Sequence, residues 1–232
     1  MNTGAIETCK GLKFYYRLGT TDEKVIPEVV GRNNYFRRGF LEPSPGELWA
    51  DLGGNIGTFS ILVASKGCKS IAFEPEPSNV EYFKRNVELN GFQDDIDIHG
   101  VGVTDDGGKR MLFLSNGRNK YRHTLVRPIR GRRSIYVETI PLADVLSMGV
   151  TAVKMDIEGA ELDIFDNTED WGAVNKLTFE YHFDFDRSIP RFYKRMEKLK
   201  AHFPSIYYGK MPDAKTYDYY PAAKTVFCTR GS

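Results

Sequence analysis

From residue 47 onward, short apolar runs alternate with stretches of helical periodicity. Leu48-Trp49-Ala50-Asp51 reads as a strand that ends in an acid and a glycine cluster, and Thr58–Lys66 follows with Phe59, Leu62 and Val63 on one helical face. Ser70–Phe73 is a second strand and Ser78–Asn90 a second helix. Ser78 is placed to cap that helix, Glu81 sits three residues on, and Gly91 stops it. Asp95–Val103 reads as a third strand with its exit loop, and Arg110–Leu114 and Ser134–Ile140 as an inserted hairpin or two extra strands. The rhythm resumes with a strand at Ala152–Asp156, a helix from about Gly159 to Asp166, and a strand at Lys176–Phe183. A basic amphipathic helix over 189–201 and strands at Ser205–Tyr208 and Lys224–Cys228 complete the chain. Strand and helix alternating at this spacing predict an α/β fold of parallel strands joined by right-handed crossovers.

Residues 1–45 break that pattern. They are polar and aromatic, with a helix over Glu23–Gly31, and Pro43-Ser44-Pro45-Gly46 closes them off. They read as an N-terminal cap on a main domain at 46–232, too short to hold a core of their own. The polar, basic stretch at about 115–133 reads as an insertion in that domain. With 232 residues, 41% hydrophobic and 27% charged, the composition is that of one ordinary soluble domain, and a net charge of +1 selects no partner. The scattered Cys9, Cys68 and Cys228 have no metal-ligand spacing. The N-terminus lacks the apolar run of a signal peptide, and nothing approaches the roughly 18 apolar residues of a membrane span. The expectation is a cytoplasmic protein without a membrane span.

The chemistry begins at Asp51-Leu-Gly-Gly-Asn-Ile-Gly57. Glycines there let the chain turn tightly against a ligand, and the helix that follows directs its free N–H groups to the same space. Glu74, at the end of the next strand and followed by Pro75, is placed to accept hydrogen bonds from ribose hydroxyls. A dinucleotide fingerprint needs a first glycine where Leu52 stands. An S-adenosylmethionine (SAM) loop needs an acid and then glycines at alternate positions, which Asp51, Gly53 and Gly57 supply, with Asn55 in the middle. Asn tolerates left-handed backbone angles, so that frame is kept. An acid at Asp51 also suits the cationic methionine part of SAM. A plain strand-to-helix turn would explain the glycines but not their combination with Glu74.

A second cluster lies at Lys154-Met-Asp-Ile-Glu-Gly-Ala-Glu161. Alternation puts Lys154 and Asp156 on one side of the strand, Glu161 faces back toward the same mouth, and the next strand adds Glu180 and His182. Open α/β sheets bind ligands beyond their strand C-termini, so these groups should meet the substrate.

Taken together, Asp-x-Gly-Gly-Asn-x-Gly, Phe73-Glu-Pro-Glu-Pro77, Asn86-Val-Glu-Leu-Asn90 and the Lys154–Glu161 motif resemble the FkbM-type methyltransferases, from about residue 22 to 183. The resemblance implies a Rossmann-like, seven-stranded class I SAM-dependent methyltransferase fold, a mostly parallel sheet with helices on both faces. It also implies O-methylation of sugar or natural-product hydroxyls. Asp51, Gly53, Asn55 and Gly57 would line the methionine side of SAM, Glu74 its ribose, and Asp156 the boundary between cofactor and substrate.

A hydroxyl acceptor needs a base, and His182, Asp156 and Glu180 are the candidates. Alternatively Asp156, Glu158 and Glu161 hold Mg²⁺ or Mn²⁺, which lowers the pKa of the hydroxyl. Lys154 has the simpler reading of an ion pair with a neighbouring acid, and His182 that of a hydrogen-bonded structural histidine. Arg118, Lys120, Arg122, Arg127, Arg130, Arg132 and Arg133, with Tyr121 and His123 among them, form a run without an acid. Arginine forks fit phosphates, so Arg122, His123 and Arg127 are candidates for contacting an anionic sugar or RNA, against the plainer reading of a solvated basic loop. Tyr207, Tyr208, Tyr217, Tyr219 and Tyr220 could stack on a sugar or base, or simply pack. Two alternatives to a small-molecule or glycan O-methyltransferase remain: an RNA ribose 2′-O-methyltransferase, for which Lys154, Asp156 and Glu180 offer an incomplete catalytic set, and a non-catalytic binding module.

Overall fold

The computed structural model describes residues 4–115, 122–126, 133–209 and 222–231. The chain opens with a hairpin, β1 (Gly4–Cys9) and β2 (Leu12–Arg17), which the sequence reading missed although Lys10-Gly11 supplies the turn. Both turn residues have left-handed backbone angles, with φ of 50° and 84°, as a tight hairpin turn requires. The helix expected over Glu23–Gly31 is α1 (Asp22–Ile26) running into a π-helical turn at Pro27–Gly31. Pro27 has no N–H to donate, and its carbonyl instead accepts from Arg32 at 2.9 Å, five residues on.

The alternating part follows as β3 (Leu48–Leu52), α2 (Thr58–Ala64), β4 (Lys69–Phe73), α3 (Pro77–Asn90) and β5 (Ile96–His99). The cap of α3 differs from expectation. Pro77 occupies the first helical position, so Glu76 becomes the cap and accepts from the Asn79 N–H at 2.7 Å, while Ser78 lies inside the helix. Gly91 ends it at φ 74°. The expected third strand at Asp95–Val103 divides in two. Ile96–His99 stays in the main sheet, and the chain then leaves it to form β6 (Gly102–Thr104). There β6 pairs in parallel with β8 (Ser134–Pro141), which pairs antiparallel with β7 (Gly108–Phe113), making a separate three-stranded sheet around the anticipated hairpin. After α4 (Leu142–Ser147) come β9 (Ala152–Met155), α5 (Glu161–Asn167), β10 (Lys176–His182), α6 (Ile189–Lys200), β11 (Ser205–Tyr207) and β12 (Ala223–Thr229).

The main sheet has seven strands in the order β11-β12-β10-β9-β3-β4-β5, antiparallel only where β12 meets its two neighbours. Strand order runs outward in both directions from β3 and β9, so their C-terminal ends open a crevice at the point where the winding reverses. One face carries Leu162, Phe165, Phe192 and Met196 of α5 and α6. The other carries Phe59 and Leu62 of α2, Phe83 and Val87 of α3, and Phe14, Ile26, Val30, Tyr35 and Leu41 of the N-terminal segment. Both faces of β3 and β9 are therefore buried, which explains their continuous apolar runs.

The Asn86-to-Asn90 motif has a mechanical role. Asn86 and Asn90, one turn apart on α3, each accept from and donate to the backbone of β2, at Tyr15 and Lys13 respectively, as a neighbouring strand would. Asn86 also donates to the Ile56 carbonyl at 2.8 Å, tying hairpin, helix and glycine loop together. All three cysteines are free thiols. No helix among the described residues is long and apolar enough to cross a membrane.

Candidate active site

The Asp51–Gly57 loop leaves β3 with left-handed backbone at Gly53 (φ 82°), Asn55 (φ 51°) and Gly57 (φ 89°). What demands glycine here is the protein itself. A Cβ at Gly53 would lie 1.9 Å from the Asp156 carbonyl oxygen, and one at Gly57 would lie 2.2 Å from the Phe83 ring. The loop is thus pressed against the end of β9 on one side and α3 on the other. Asn55 keeps its left-handed angle, lines the crevice and has a buried amide oxygen without a hydrogen-bond partner.

Glu74 stands at the exit of β4. Its carboxylate accepts from the Asn55 N–H at 2.8 Å, the Glu76 N–H at 2.9 Å and the Asn79 side chain at 3.3 Å. Burial nevertheless pushes its pKa up to about 7, because the donors only partly offset the cost of a charge out of water. Asp51 and Lys154 prove to be each other's partners. The Asp51 carboxylate is fully buried, takes the Ser60 hydroxyl at 2.7 Å and lies 3.1 Å from the Lys154 ammonium. Lys154 also donates to the Gly53 carbonyl at 2.8 Å. Burial alone would depress its pKa, but Asp51, Asp156 and Glu180 outweigh it and raise it.

At the ends of β9 and β10 the acids are far less satisfied. Asp156 accepts the Tyr35 phenol at 2.7 Å on one oxygen, while its other oxygen is buried and has no hydrogen-bond partner. Tyr35 also lies 3.4 Å from Glu180. Glu161 turns inward: it is fully buried and accepts from the Gly159 N–H and from both the backbone and Nδ1 of His182, each within 2.9 Å. The other imidazole nitrogen, Nε2, faces Glu158 at 3.5 Å, Asp156 at 3.7 Å and Glu180 at 4.0 Å. Burial works to lower the His182 pKa, but Glu161, Glu158 and Asp156 carry it well above its ordinary value. Burial and Asp156 push Glu158 up to about 8 and Glu180 up to about 7.

One cavity of about 340 Å³ joins both clusters. Its walls include Gly53, Asn55, Glu74 and Pro75 at one end and Lys154, Asp156, Glu158, Glu180 and His182 at the other. Asp51, Gly57 and Glu161 stand behind those walls, holding the groups that form them. Arg122 and His123 also line the cavity, but Arg122 is engaged with Asp184 at 2.8 Å and with Glu158 at 3.8 Å, and His123 accepts from the Ser115 N–H. Thr124 fastens this part of the insertion to the Glu158 carbonyl at 2.7 Å. Arg118, Lys120, Tyr121, Arg127, Arg130, Arg132, Tyr217, Tyr219 and Tyr220 lie outside the described residues. Tyr207 stacks under Arg37 and Tyr208 packs on Phe192, so these two are ordinary packing. Tyr35 and Asn79 were missed from sequence. Asn79 sits five residues after Glu74 on the first turn of α3 and carried a local signal; Tyr35, in an irregular segment, carried none.

Residues 51–202 match the Methyltransferase FkbM domain. The chain belongs to the FkbM methyltransferase family. It is a SAM-dependent methyltransferase, as the loop and motifs led us to expect. It is 27% identical to Methyltransferase 1 of Beauveria bassiana, the match covering 60% of this chain and 67% of that one. It is 23% identical to Methyltransferase sdnD of Sordaria araneosa, over 72% and 77% of the two chains. Among solved structures, the tRNA (uracil-54, C5)-methyltransferase of Pyrococcus abyssi, in complex with S-adenosyl-L-homocysteine, superposes with a TM-score of 0.50 at 13% identity. That match covers 97% of this chain and 43% of that one, and it bears on the fold alone.

Proposed function

We propose that this FkbM-family methyltransferase methylates a hydroxyl oxygen on a sugar, glycan or related small molecule, and that Glu180 is the base. The observation that carries this is the single cavity, with a cofactor end at Asn55 and Glu74 and a second end walled by Asp156, Glu180 and His182. SAM fits the first end: an orphaned amide oxygen on Asn55 and an oriented carboxylate on Glu74 are what its amino and ribose hydroxyl donors need. When bound, SAM supplies a methyl group already activated by a sulfonium charge.

The chain's own residues must then orient the acceptor and take its proton. Acids on three sides hold His182 as an imidazolium, which has no free lone pair for another proton. Glu180 is better suited, since burial and Asp156 bring its pKa to about 7, close to a neutral working pH. Tyr35, kept as a neutral phenol by burial and by Asp156 and Glu180, donates to Asp156 and limits how closely the two carboxylates can be solvated. Asp156 and His182 supply the electrostatic setting.

An RNA acceptor is the weaker reading. It would call on Lys154 and the basic insertion, yet the Lys154 ammonium is held by Asp51 and the Gly53 carbonyl, and Arg122 by Asp184. Transfer of labelled methyl from SAM to a panel of sugars and glycosides, with tRNA and unstructured RNA alongside, tests the proposal. Label in the glycosides, abolished by Glu180→Gln, supports it; label in RNA alone would replace it. SAM binding without transfer to any acceptor would favour a binding module.

A further inference from the structure

We infer that Asp156, Glu158 and His182 form a divalent-cation site at the acceptor end of the cavity. The inference rests on the methyl-transfer reading for its purpose but not for its geometry. One ligand atom from each of the three residues lies within 4.8 Å of the others. His182 Nε2 is 3.5 Å from Glu158 and 3.7 Å from Asp156, too far for hydrogen bonds of normal geometry. Two ligands about 2.1 Å from one ion stand roughly 3.0–3.4 Å apart. The two imidazole–carboxylate spacings therefore need only a small closure around a cation, and the three ligand atoms all lie within 4.8 Å of one another.

Two features leave these acids open to a further cation. One oxygen of Asp156 is buried with no hydrogen-bond partner and lies 3.7 Å from His182 Nε2, the other being used by Tyr35. The Glu158 side chain is only 9% exposed. Among the described residues, it pairs with His182 Nε2 at 3.5 Å and Arg122 Nε at 3.8 Å. His182 has the arrangement expected of a ligand: Nδ1 is 2.8 Å from Glu161, which fixes the ring and turns Nε2 toward the acids, so a cation binding there would displace the Nε2 proton that the acids hold on the metal-free imidazolium. This corrects the ligand set read from sequence. Both oxygens of Glu161 are occupied behind the wall, so it orients His182 instead of binding the ion. Two carboxylates with one imidazole suit Mn²⁺ better than Mg²⁺, which favours oxygen ligands alone.

With the cation in place, the acceptor oxygen would join its open face. The O–H bond breaks as its proton passes to Glu180, the oxygen–methyl bond forms, and the carbon–sulfur bond breaks to leave a neutral thioether. The cation's charge is unchanged throughout.

Titration of the full chain with Mn²⁺, followed by the loss of the free-ion electron paramagnetic resonance signal in the absence of SAM, tests the site. The expected result is a single ion per chain, lost in Glu158→Gln and in His182→Ala, and held about 10- to 100-fold more weakly in Glu161→Gln. Because His182→Ala removes a buried side chain, the Glu158→Gln result decides if that variant fails to fold. Absence of stoichiometric Mn²⁺, or binding unchanged by Glu158→Gln, overturns the site. Methyl transfer that persists in chelator, with SAM binding intact, overturns the cation's part in transfer and leaves the proposed function standing. Mn²⁺ bound at Glu158 with no transfer to any hydroxyl keeps the site and removes the function.

Discussion

Asp51 and Asp156 stand at the ends of neighbouring parallel strands, one inside β3 and the other just past β9, yet they have opposite fates. Asp51 is sealed in, with Ser60 on one oxygen and Lys154 beside the other, and its charge is cancelled locally. Each has one oxygen without a hydrogen-bond partner, but that of Asp51 lies 3.1 Å from an ammonium, whereas Asp156 keeps a quarter of its side chain exposed, shares its surroundings with Glu158 and Glu180, and has His182 no nearer than 3.7 Å. An acid at a strand end is therefore not in itself a site. What separates scaffold from chemistry here is whether the surrounding protein has already answered the charge.

The largest effect that could break this contrast is catalytic. Glu180→Gln is expected to lower kcat about 100- to 10,000-fold, the usual contribution of general acid–base catalysis. Its SAM affinity and melting temperature should stay near those of the parent. A matching loss of SAM affinity would mean that Glu180 belongs to the cofactor end.

On the scaffold side, Lys154→Ala strands Asp51 as an uncompensated buried charge and should cost about 3–5 kcal/mol of stability. Asp156→Asn should cost less than about 1 kcal/mol, since its site is open to water on the cavity side. Equal losses in urea unfolding would erase the distinction between the two aspartates.

Glu74 sharpens the comparison through pH. Its pKa of about 7 exceeds the ordinary 4.5 because of burial, so the cofactor-free fold favours the protonated form. The sign follows: this residue's contribution to stability falls as pH rises from about 4.5 through 7, and Glu74→Gln should flatten that part of the profile. SAM affinity should move the other way, weakening as pH drops below about 7 and the carboxylate loses acceptor capacity. Calorimetry at several pH values, with Glu74→Gln as the control, checks both.

The smallest expected change is at Tyr35. Tyr35→Phe removes one hydrogen bond to Asp156, worth about 0.5–1.5 kcal/mol, and should lower kcat severalfold while leaving SAM affinity unchanged. A loss as large as that of Glu180→Gln would make the phenol, not the carboxylate, the group that handles the proton.

How far the sequence could be read follows the same division. Strands β3, β4, β9 and β10 and the helices α2, α3 and α5 were legible because each carries a continuous apolar run or a single apolar face, whereas the short α4 was not read. The convergence of Lys154, Asp156, Glu180 and His182 followed from strand alternation and the rule for strand ends. Three things were not legible. The β1–β2 hairpin is held by Asn86 and Asn90, residues some seventy positions away. Tyr35 reaches Asp156 from an irregular segment with no periodicity to betray it. The glycines of the loop suggested a ligand, but Gly53 and Gly57 accommodate Asp156 and Phe83. Apart from the Lys10-Gly11 turn, the missing information was a long-range contact, which a local pattern does not encode.

The central claim is that one cavity has a cofactor end at Glu74 and a separate acceptor end at Glu180. Isothermal titration of SAM into the parent, Glu74→Ala and Glu180→Gln tests it most directly. The expected result is binding to the parent, a loss of about 1.5–3 kcal/mol in Glu74→Ala from the missing charged hydrogen bonds, and parent-like binding in Glu180→Gln. No binding to the parent, or equal losses in both variants, would contradict it.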